Sequence, residues 1–314
     1  MLAYELSTVF TTIGFCFSFF ANFVLIYLTI FHIKKVVGTY KHMVIIFSIC
    51  GILFTAMEIV AKPFAHNLTS ALFYFSFNNW IKSEEFLRFM ISAWAGFYIQ
   101  IISFITVLFV YRYLCLFDTK KMKELNGLKS ILMIIFPCIP GAFYVVMLSL
   151  MLQKYNLVVS MTPRVVIIPY TPTGGIRWKH LFLLLIGSFL VCFHYSIILY
   201  CGLKMHFNMK KELQKFSVAK RQLQIQFFRA LVAQSLGPTI FLVMPIAPIL
   251  LIPLIPPVFG IDIDWQTGWF FTMIGVYSPF DSIAFMMIVT EYKTVIRGKI
   301  WSRSNPTVTS VIAL

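Results

Sequence analysis

Long apolar runs, separated by short polar segments, form the dominant pattern along this chain. Each run has 19 to 28 residues, which is enough for an α-helix to cross about 30 Å of hydrocarbon. The runs cover residues 8–31, 43–61, 89–110, 131–152, 181–203, 227–254 and 269–290. The pattern predicts a single domain, an all-α bundle of seven transmembrane helices, followed by a tail over residues 291–314.

Composition supports the membrane assignment. Of the 314 residues, 60% are hydrophobic and 12% are charged, and a soluble domain of this length could not bury so much apolar surface. The first run is too long and too uniformly apolar for a cleaved signal peptide. We therefore expect it to remain as the first helix.

The formal net charge of +15 comes mostly from one side of the predicted bundle. The three loops and the tail on that side, with the helix ends beside them, hold 19 of the 26 lysines and arginines, and the opposite side holds seven. This asymmetry predicts an extracellular N-terminus and a cytoplasmic C-terminus. We therefore expect the positive charge to orient the protein in the membrane and to attract acidic lipid headgroups. Nucleic acid is not an expected partner.

The sequence motifs do not indicate an enzyme. The sequence has no HExxH, no glycine-rich phosphate loop and no nucleophile elbow. The six cysteines lie within the runs or at their inner ends, with neither CxxC spacing nor a histidine pattern. We expect no enzymatic activity, no cofactor, no metal site and no structural disulfide.

Four ionisable residues lie in or near the runs, where burying a charge costs several kcal/mol on some scales. Glu58 is close enough to the outer end of its helix to reach water, and Arg229 can extend to the headgroups. His194 is expected to be a satisfied neutral imidazole. Asp281 has no such route, so we expect a polar network or a bound cation around it rather than contact with a ligand.

The stretch over residues 204–257 joins a basic segment to a helix that contains four prolines. Gln222, Gln226 and Arg229 share one helical face, which should point into protein or cytosol. Each proline removes a backbone hydrogen-bond donor; they are Pro238, Pro245, Pro248 and Pro253. This arrangement suits either a moving helix or a static bent one.

Ligand contacts are expected in the outer halves of the helices, which are rich in aromatic residues and methionine. The candidates are Trp94, Tyr98, Phe182, Phe241, Met244, Trp269 and Phe270. They suit a small, largely apolar molecule, although the interfacial aromatic belt is an equally ordinary role for such residues. Asn67-Leu68-Thr69 is a glycosylation sequon, and the expected topology places it outside the cell.

The inner end of the third helix reads FVYRYLCLF, with Arg112 at its centre. An interfacial arginine between two tyrosines is, on physical grounds alone, an ordinary membrane anchor. At this position many seven-helix receptors carry an arginine that links the third and sixth helices to a G protein.

Several stretches in the same order resemble the nematode serpentine chemoreceptors of class r, the Str family. They are GTYKHMVIIFS, EIVAKPFAH, VYRYLCLF, ILYCGLKMH, QLQIQFFRALVAQSLGPTIF and TGWFFTMIGVYSPFDSIAF followed by EYK. The resemblance implies a G-protein-coupled receptor in the plasma membrane of sensory neurons, commonly in cilia, that detects small environmental chemicals and couples to a heterotrimeric G protein. Ser282 and Lys293 depart from the family pattern, where proline and arginine are usual. The first departure could alter the kink near Asp281.

On this basis we expect a ligand-operated switch whose coupling residues are Arg112, Gln226, Arg229 and Asp281. The alternative is a seven-helix transporter or a ligand-gated channel. Transporters of three-plus-one-plus-three helices are built from a repeat, but the first and last three helices here show no evident similarity. Insect odorant channels have the opposite orientation to the one that the charges predict.

Overall fold

The computed structural model describes residues 2–33, 38–68, 71–118, 128–152, 164–171, 175–214, 217–255, 263–265 and 270–304. Eight helices and four short strands follow one another in this part of the chain. The first helices are α1 (Leu2–Phe31), α2 (Thr39–Ala61), α3 (Glu84–Phe117), α4 (Leu128–Ile135 and Cys138–Leu152) and α5 (Trp178–Leu213). The last are α6 (Val218–Leu254, in four segments), α7 (Phe270–Ile288) and α8 (Thr290–Ser304).

The helices match the apolar runs and extend several of them. Six of the described helices are long and apolar enough to cross a membrane, and α7 with its bent continuation accounts for a seventh. The helical bundle predicted from the sequence is therefore confirmed. α4 is interrupted beside Pro137, whose missing N–H breaks the helical hydrogen-bond ladder.

The tail begins as a helix, as its spacing of apolar residues suggests. α7 and α8 meet at an angle of 88°. Tyr292 of α8 is fully buried, and its hydroxyl group lies 2.8 Å from Thr29 Oγ1 of α1. The start of the tail is thus fixed to the bundle. The serines and threonines beyond Ser304 lie outside the described residues.

Prolines divide α6 into four segments. An α-helical segment, Val218–Pro238, leads into a π-helical turn, Thr239–Val243, then a second α-helical segment, Met244–Leu251, and a 3-10 turn, Ile252–Leu254. The Met244 N–H donates to the carbonyl of Thr239, five residues back. Such π-turns accommodate breaks in the ordinary ladder, and here one lies between Pro238 and Pro245. The interruption of the helical hydrogen-bond ladder expected from the prolines therefore has a defined position.

A four-stranded sheet, which the pattern of apolar runs did not predict, covers one end of the bundle. The strands are β1 (Pro63–Leu68), β2 (Ala71–Ser76), β3 (Arg164–Ile167) and β4 (Asp264–Trp265), in the spatial order β3-β2-β1-β4. They come from the connections α2–α3, α4–α5 and α6–α7, so these three connections lie at the same end. We call this sheet the roof, and we call the opposite end, which carries most of the lysines and arginines, the basic end.

Buried and more exposed residues alternate along β1 and β2, so one face of the roof lies against the bundle. Burial alternates residue by residue on both strands, as the two-residue period of a strand requires. Ala65, Asn67, Leu72 and Tyr74 face inward. The opposite face carries His66, whose Nε2 lies 3.2 Å from Asp264 Oδ1 of β4.

α3 is the central helix of the bundle. In its most apolar stretch 78% of the residues are buried, against 22% to 44% for the other spanning helices. Gly96 of α3 and Gly141 of α4 allow the two backbones to approach closely. A Cβ atom on Gly141 would lie 2.8 Å from the Gly96 carbonyl oxygen, so neither helix can carry a larger residue there without moving.

Candidate functional site

An apolar cavity lies directly beneath the roof. Its volume is about 70 Å³, and about 650 Å³ when all the empty space up to its open mouth is included. The roof contributes Ala65, Leu72, Tyr74 and Ile167, and the walls come from α3, α4, α5 and α6, with Trp94, Tyr98, Ile99, Tyr144, Leu148, Leu184, Ile246 and Ile249 among them. None of the described lining residues carries a charge. The cavity therefore suits an uncharged, largely apolar molecule.

Two of the predicted ligand contacts line this cavity. Trp94 and Tyr98 are 3% and 5% exposed, and their rings stack with a centroid distance of 6.4 Å. Phe54 of α2 also stacks against Trp94, with ring centroids 5.4 Å apart. The two aromatic walls are therefore held in place by neighbouring rings.

The other predicted contacts do not line it. Phe182 and Met244 are 57% and 63% exposed, so they lie on the outer surface of the bundle, where lipid tails would contact them. Phe241 packs against Phe280 of α7, with ring centroids 5.3 Å apart. Trp269 and the side chain of Phe270 lie outside the described residues.

The roof contacts were missed because they are not in a helix. Tyr74 points inward from β2, and its hydroxyl group donates to the Ile91 carbonyl at 3.0 Å. Burial raises its pKa well above the usual value, which keeps the phenol neutral. The aromatic-rich run ALFYFS was a sequence signal for this strand. The pairing of the hairpin with the distant β3 and β4 has no local sequence signal.

A polar network joins α1, α2 and α7 in the middle of the bundle. Ser18 Oγ lies 2.7 Å from Ser278 Oγ and accepts a hydrogen bond from Thr55 Oγ1 at 3.2 Å. Asn22 donates to Ser278 at 3.1 Å and accepts from Ser282 at 2.6 Å. Ser282, the residue that departs from the family pattern, is thus a member of the network.

Asp281 lies beside this network and connects it to α6. The side-chain amide of Gln234 in α6 donates to Asp281 Oδ2 at 3.1 Å. Oδ1 makes no hydrogen bond to a described residue. Asp281 also lines a small cavity, about 10 Å³, with Asn22, Tyr277 and Ser278. That volume holds about one water molecule or ion. The position agrees with the expectation of a polar environment rather than a place in the ligand cavity.

Two other ionisable residues lie fully inside the bundle. The expectation that Glu58 reaches water is wrong, since it is 2% exposed and neither carboxyl oxygen has a hydrogen-bond partner in the described part of the chain. The inward face of α2 places it against Gly275 of α7. His194 is 3% exposed, and its Nδ1 lies 2.7 Å from the Leu190 carbonyl oxygen, which agrees with a satisfied imidazole.

Arg112 lies against two aromatic rings at the basic end, and these rings also contact each other edge to face. Its guanidinium carbon lies 3.4 Å from the ring centroid of Tyr40 in α2 and 3.9 Å from that of Phe227 in α6. The residue is only 7% exposed, and Nε and Nη2 have no hydrogen-bond partner among the described residues. A membrane anchor would extend to the headgroups. Arg112 instead connects α2, α3 and α6 through its contacts with the two rings. We call Tyr40, Arg112 and Phe227 the aromatic clamp.

The remaining coupling candidates lie on α6 near the clamp. Gln226 Oε1 accepts a hydrogen bond from the Thr290 N–H at 3.1 Å, so it caps the first turn of α8. Arg229 is exposed. In this conformation Arg112 and Arg229 therefore do not form one surface.

Asn67 is buried rather than presented for glycosylation. It is 0% exposed, and its Nδ2 lies 3.3 Å from the Ile249 carbonyl oxygen of α6. A glycan attached to Nδ2 could not coexist with this arrangement. The burial depends on the roof, which a three-residue sequon cannot reveal.

Comparisons with known proteins agree with this architecture. The family model described as serpentine type 7TM GPCR chemoreceptor Str matches residues 7–297. The protein is thus a multi-pass membrane protein of the G-protein-coupled receptor type. The chain belongs to the Str family of serpentine chemoreceptors.

Nematode receptors are among its relatives. G-protein coupled receptor str-33 of Caenorhabditis elegans is 28% identical over 311 residues, which cover 92% of this chain and 89% of that protein. Serpentine receptor class r-10 of Caenorhabditis briggsae is 22% identical over 304 residues, covering 90% and 87%. The C. elegans protein of the same name is 23% identical over 291 residues, covering 86% and 84%.

Proposed function

We propose that this chemoreceptor binds a small, uncharged and largely apolar environmental chemical in the cavity beneath the roof. The observation that carries the proposal is the cavity itself, which is bordered by Trp94, Tyr98 and the roof and has no charged residue among the described residues that line it. Burial of an apolar ligand there would release water from nonpolar surface, which is the main source of affinity in such sites.

The roof end is proposed to face outward and the basic end to face the cytosol, as the distribution of lysine and arginine favours. A chemical from outside then reaches the cavity without crossing the bundle. Plasma membrane, and the sensory cilium in particular, is the proposed location because of the family.

The proposed partner at the basic end is a heterotrimeric G protein. The clamp holds α6 against α3 through Phe227, and we propose that this packing is the resting state. Outward movement of α6 would take Phe227 away from Arg112 and expose guanidinium N–H groups that have no hydrogen-bond partner among the described residues. Carbonyl and carboxylate groups of a G protein could then accept charge-assisted hydrogen bonds from them.

A cavity-filling substitution tests the binding site. Leu184 is 1% exposed and lines the cavity, and Leu184→Trp would fill much of it. A panel of uncharged alcohols, ketones and alkylbenzenes is screened by calcium response in cells that express the receptor. For each active compound we expect Leu184→Trp to reduce potency at least tenfold, because the ligand and the indole compete for the same space.

Phe182→Leu is the matched control, since Phe182 lies on the same helix but outside the cavity. It should respond like the unmodified receptor at equal surface level. Equal potency of Leu184→Trp and the unmodified receptor would reject this cavity as the ligand site.

A further inference from the structure

One buried side chain joins the roof to α6. Asn67 lies on the inward face of β1, and its Nδ2 is 3.3 Å from the Ile249 carbonyl oxygen and 3.4 Å from that of Pro248. Since the residue is 0% exposed, water does not compete for these hydrogen bonds. The contact crosses 182 positions of sequence and connects two separate elements.

The proline pattern of α6 explains why this contact is needed. In an α-helix the Ile249 carbonyl would accept from the N–H of residue 253, but Pro253 has none. The Pro248 carbonyl already accepts from the Ile252 N–H. Asn67 therefore supplies the donor that the proline removed, and a buried carbonyl without any donor would be costly.

A second roof-end side chain acts at the same end of α6. Tyr170, in the segment after β3, donates from its hydroxyl group to the Leu254 carbonyl at 3.1 Å. Leu254 is the last residue of the 3-10 turn that ends α6. The last two turns of α6 thus depend on the roof end for hydrogen bonds that the helix cannot make itself.

The same strand and the same helix line the ligand cavity. Ala65, two residues before Asn67 on the inward face of β1, and Ile249 of α6 both border it. α6 then continues as one helix with a π-turn to Phe227 in the aromatic clamp. A displacement of β1 would therefore be transmitted through a hydrogen bond to α6, the helix whose Phe227 contacts Arg112.

We propose that Asn67 is the positioning residue that couples the roof to α6, so that a molecule beneath the roof shifts α6 through this side chain. The proposal deepens the function proposed above and rests on it for the identity of the cavity as a ligand site. The mechanical coupling itself needs neither a ligand nor a G protein. It can be tested separately.

The experiment measures amide hydrogen exchange by mass spectrometry on the full-length receptor in lipid nanodiscs, without added ligand. Asn67→Leu keeps a side chain of similar size and removes the donor. Thr69→Ala is the matched control, because it removes the glycosylation sequon and leaves Asn67 in place. Peptides from residues 63–68, 244–254 and 218–238 report on β1, on the roof end of α6 and on its basic end.

We expect Asn67→Leu to speed exchange about fivefold in β1 and at the roof end of α6, as loss of one buried hydrogen bond predicts. Exchange in residues 218–238 should change as well, and Thr69→Ala should match the unmodified receptor. A change confined to residues 63–68, or the same change in Thr69→Ala, would overturn the coupling.

A double variant distinguishes coupling between the roof and α6 from the mere satisfaction of one carbonyl group. It also provides a test if Asn67→Leu folds poorly. Pro253→Ala restores an N–H that can donate to the Ile249 carbonyl. In Asn67→Leu/Pro253→Ala we expect protection of residues 244–254 to return while residues 218–238 keep the altered exchange. Return of both segments to the unmodified pattern would mean that Asn67 only satisfies a carbonyl.

Discussion

At the scale of single residues, Arg112 shows how tertiary packing changes the meaning of a motif. The local sequence favours an interfacial anchor, because tyrosines flank the arginine on both sides. The structure instead buries it against the rings of Tyr40 and Phe227, which lie 72 and 115 positions away in the sequence. No local pattern could have revealed those two rings. Its position on the third helix was predictable, but its partners were not.

The clamp predicts that weakening it raises basal signalling. Phe227→Leu keeps apolar bulk and removes one ring face from the guanidinium, an interaction worth about 0.5–2 kcal/mol. If the clamp stabilises the resting state, basal second-messenger output per surface receptor should rise by roughly twofold to thirtyfold. Phe207→Leu, on the exposed surface of α5, is the control. Unchanged or lower output in Phe227→Leu at equal surface level would argue against a resting clamp.

At the scale of elements, the helices were predictable and the roof was not. The length of each apolar run predicts a helix directly, because the hydrocarbon core requires about 20 residues per span. The roof forms from three connections that are distant in sequence, so only the β1–β2 hairpin had a local signal. Asn67 and the roof side of the cavity were missed for the same reason. Trp94 and Tyr98 were found because they lie on a helix that had been identified.

Close packing of α3 against α4 makes a prediction about stability. In Gly141→Val the new Cβ would lie 2.8 Å from the Gly96 carbonyl oxygen, which forces the helices apart beside the cavity wall. Overpacking of this kind costs typically 1–3 kcal/mol, so the thermal midpoint of the purified receptor in detergent should fall by several degrees. Gly298→Val in α8, where a Cβ meets nothing within 4 Å, should change it much less. Equal midpoints for the two variants would contradict the packing described for α3 and α4.

At the scale of the whole molecule, α6 connects the two candidate sites. Its roof end borders the cavity and is held by Asn67, its middle is joined to α7 through Gln234 and Asp281, and its basic end closes the clamp. The proline-rich sequence favoured either a moving or a static bent helix. Separate groups hold α6 at its roof end, in its middle and at its basic end. A movement of the helix at one of these positions can therefore be transmitted to the others.

Receptor-catalysed nucleotide exchange on a purified heterotrimeric G protein tests this account most directly. The receptor in nanodiscs is mixed with a compound found active in the panel, and GTP uptake is followed over time. We expect the compound to accelerate uptake with the unmodified receptor. With Arg112→Ala acceleration should be lost while the compound still binds, because the cavity lies at the opposite end. Binding without any acceleration by the unmodified receptor, together with compound-gated current in cells that lack G-protein signalling, would contradict the account and favour a channel.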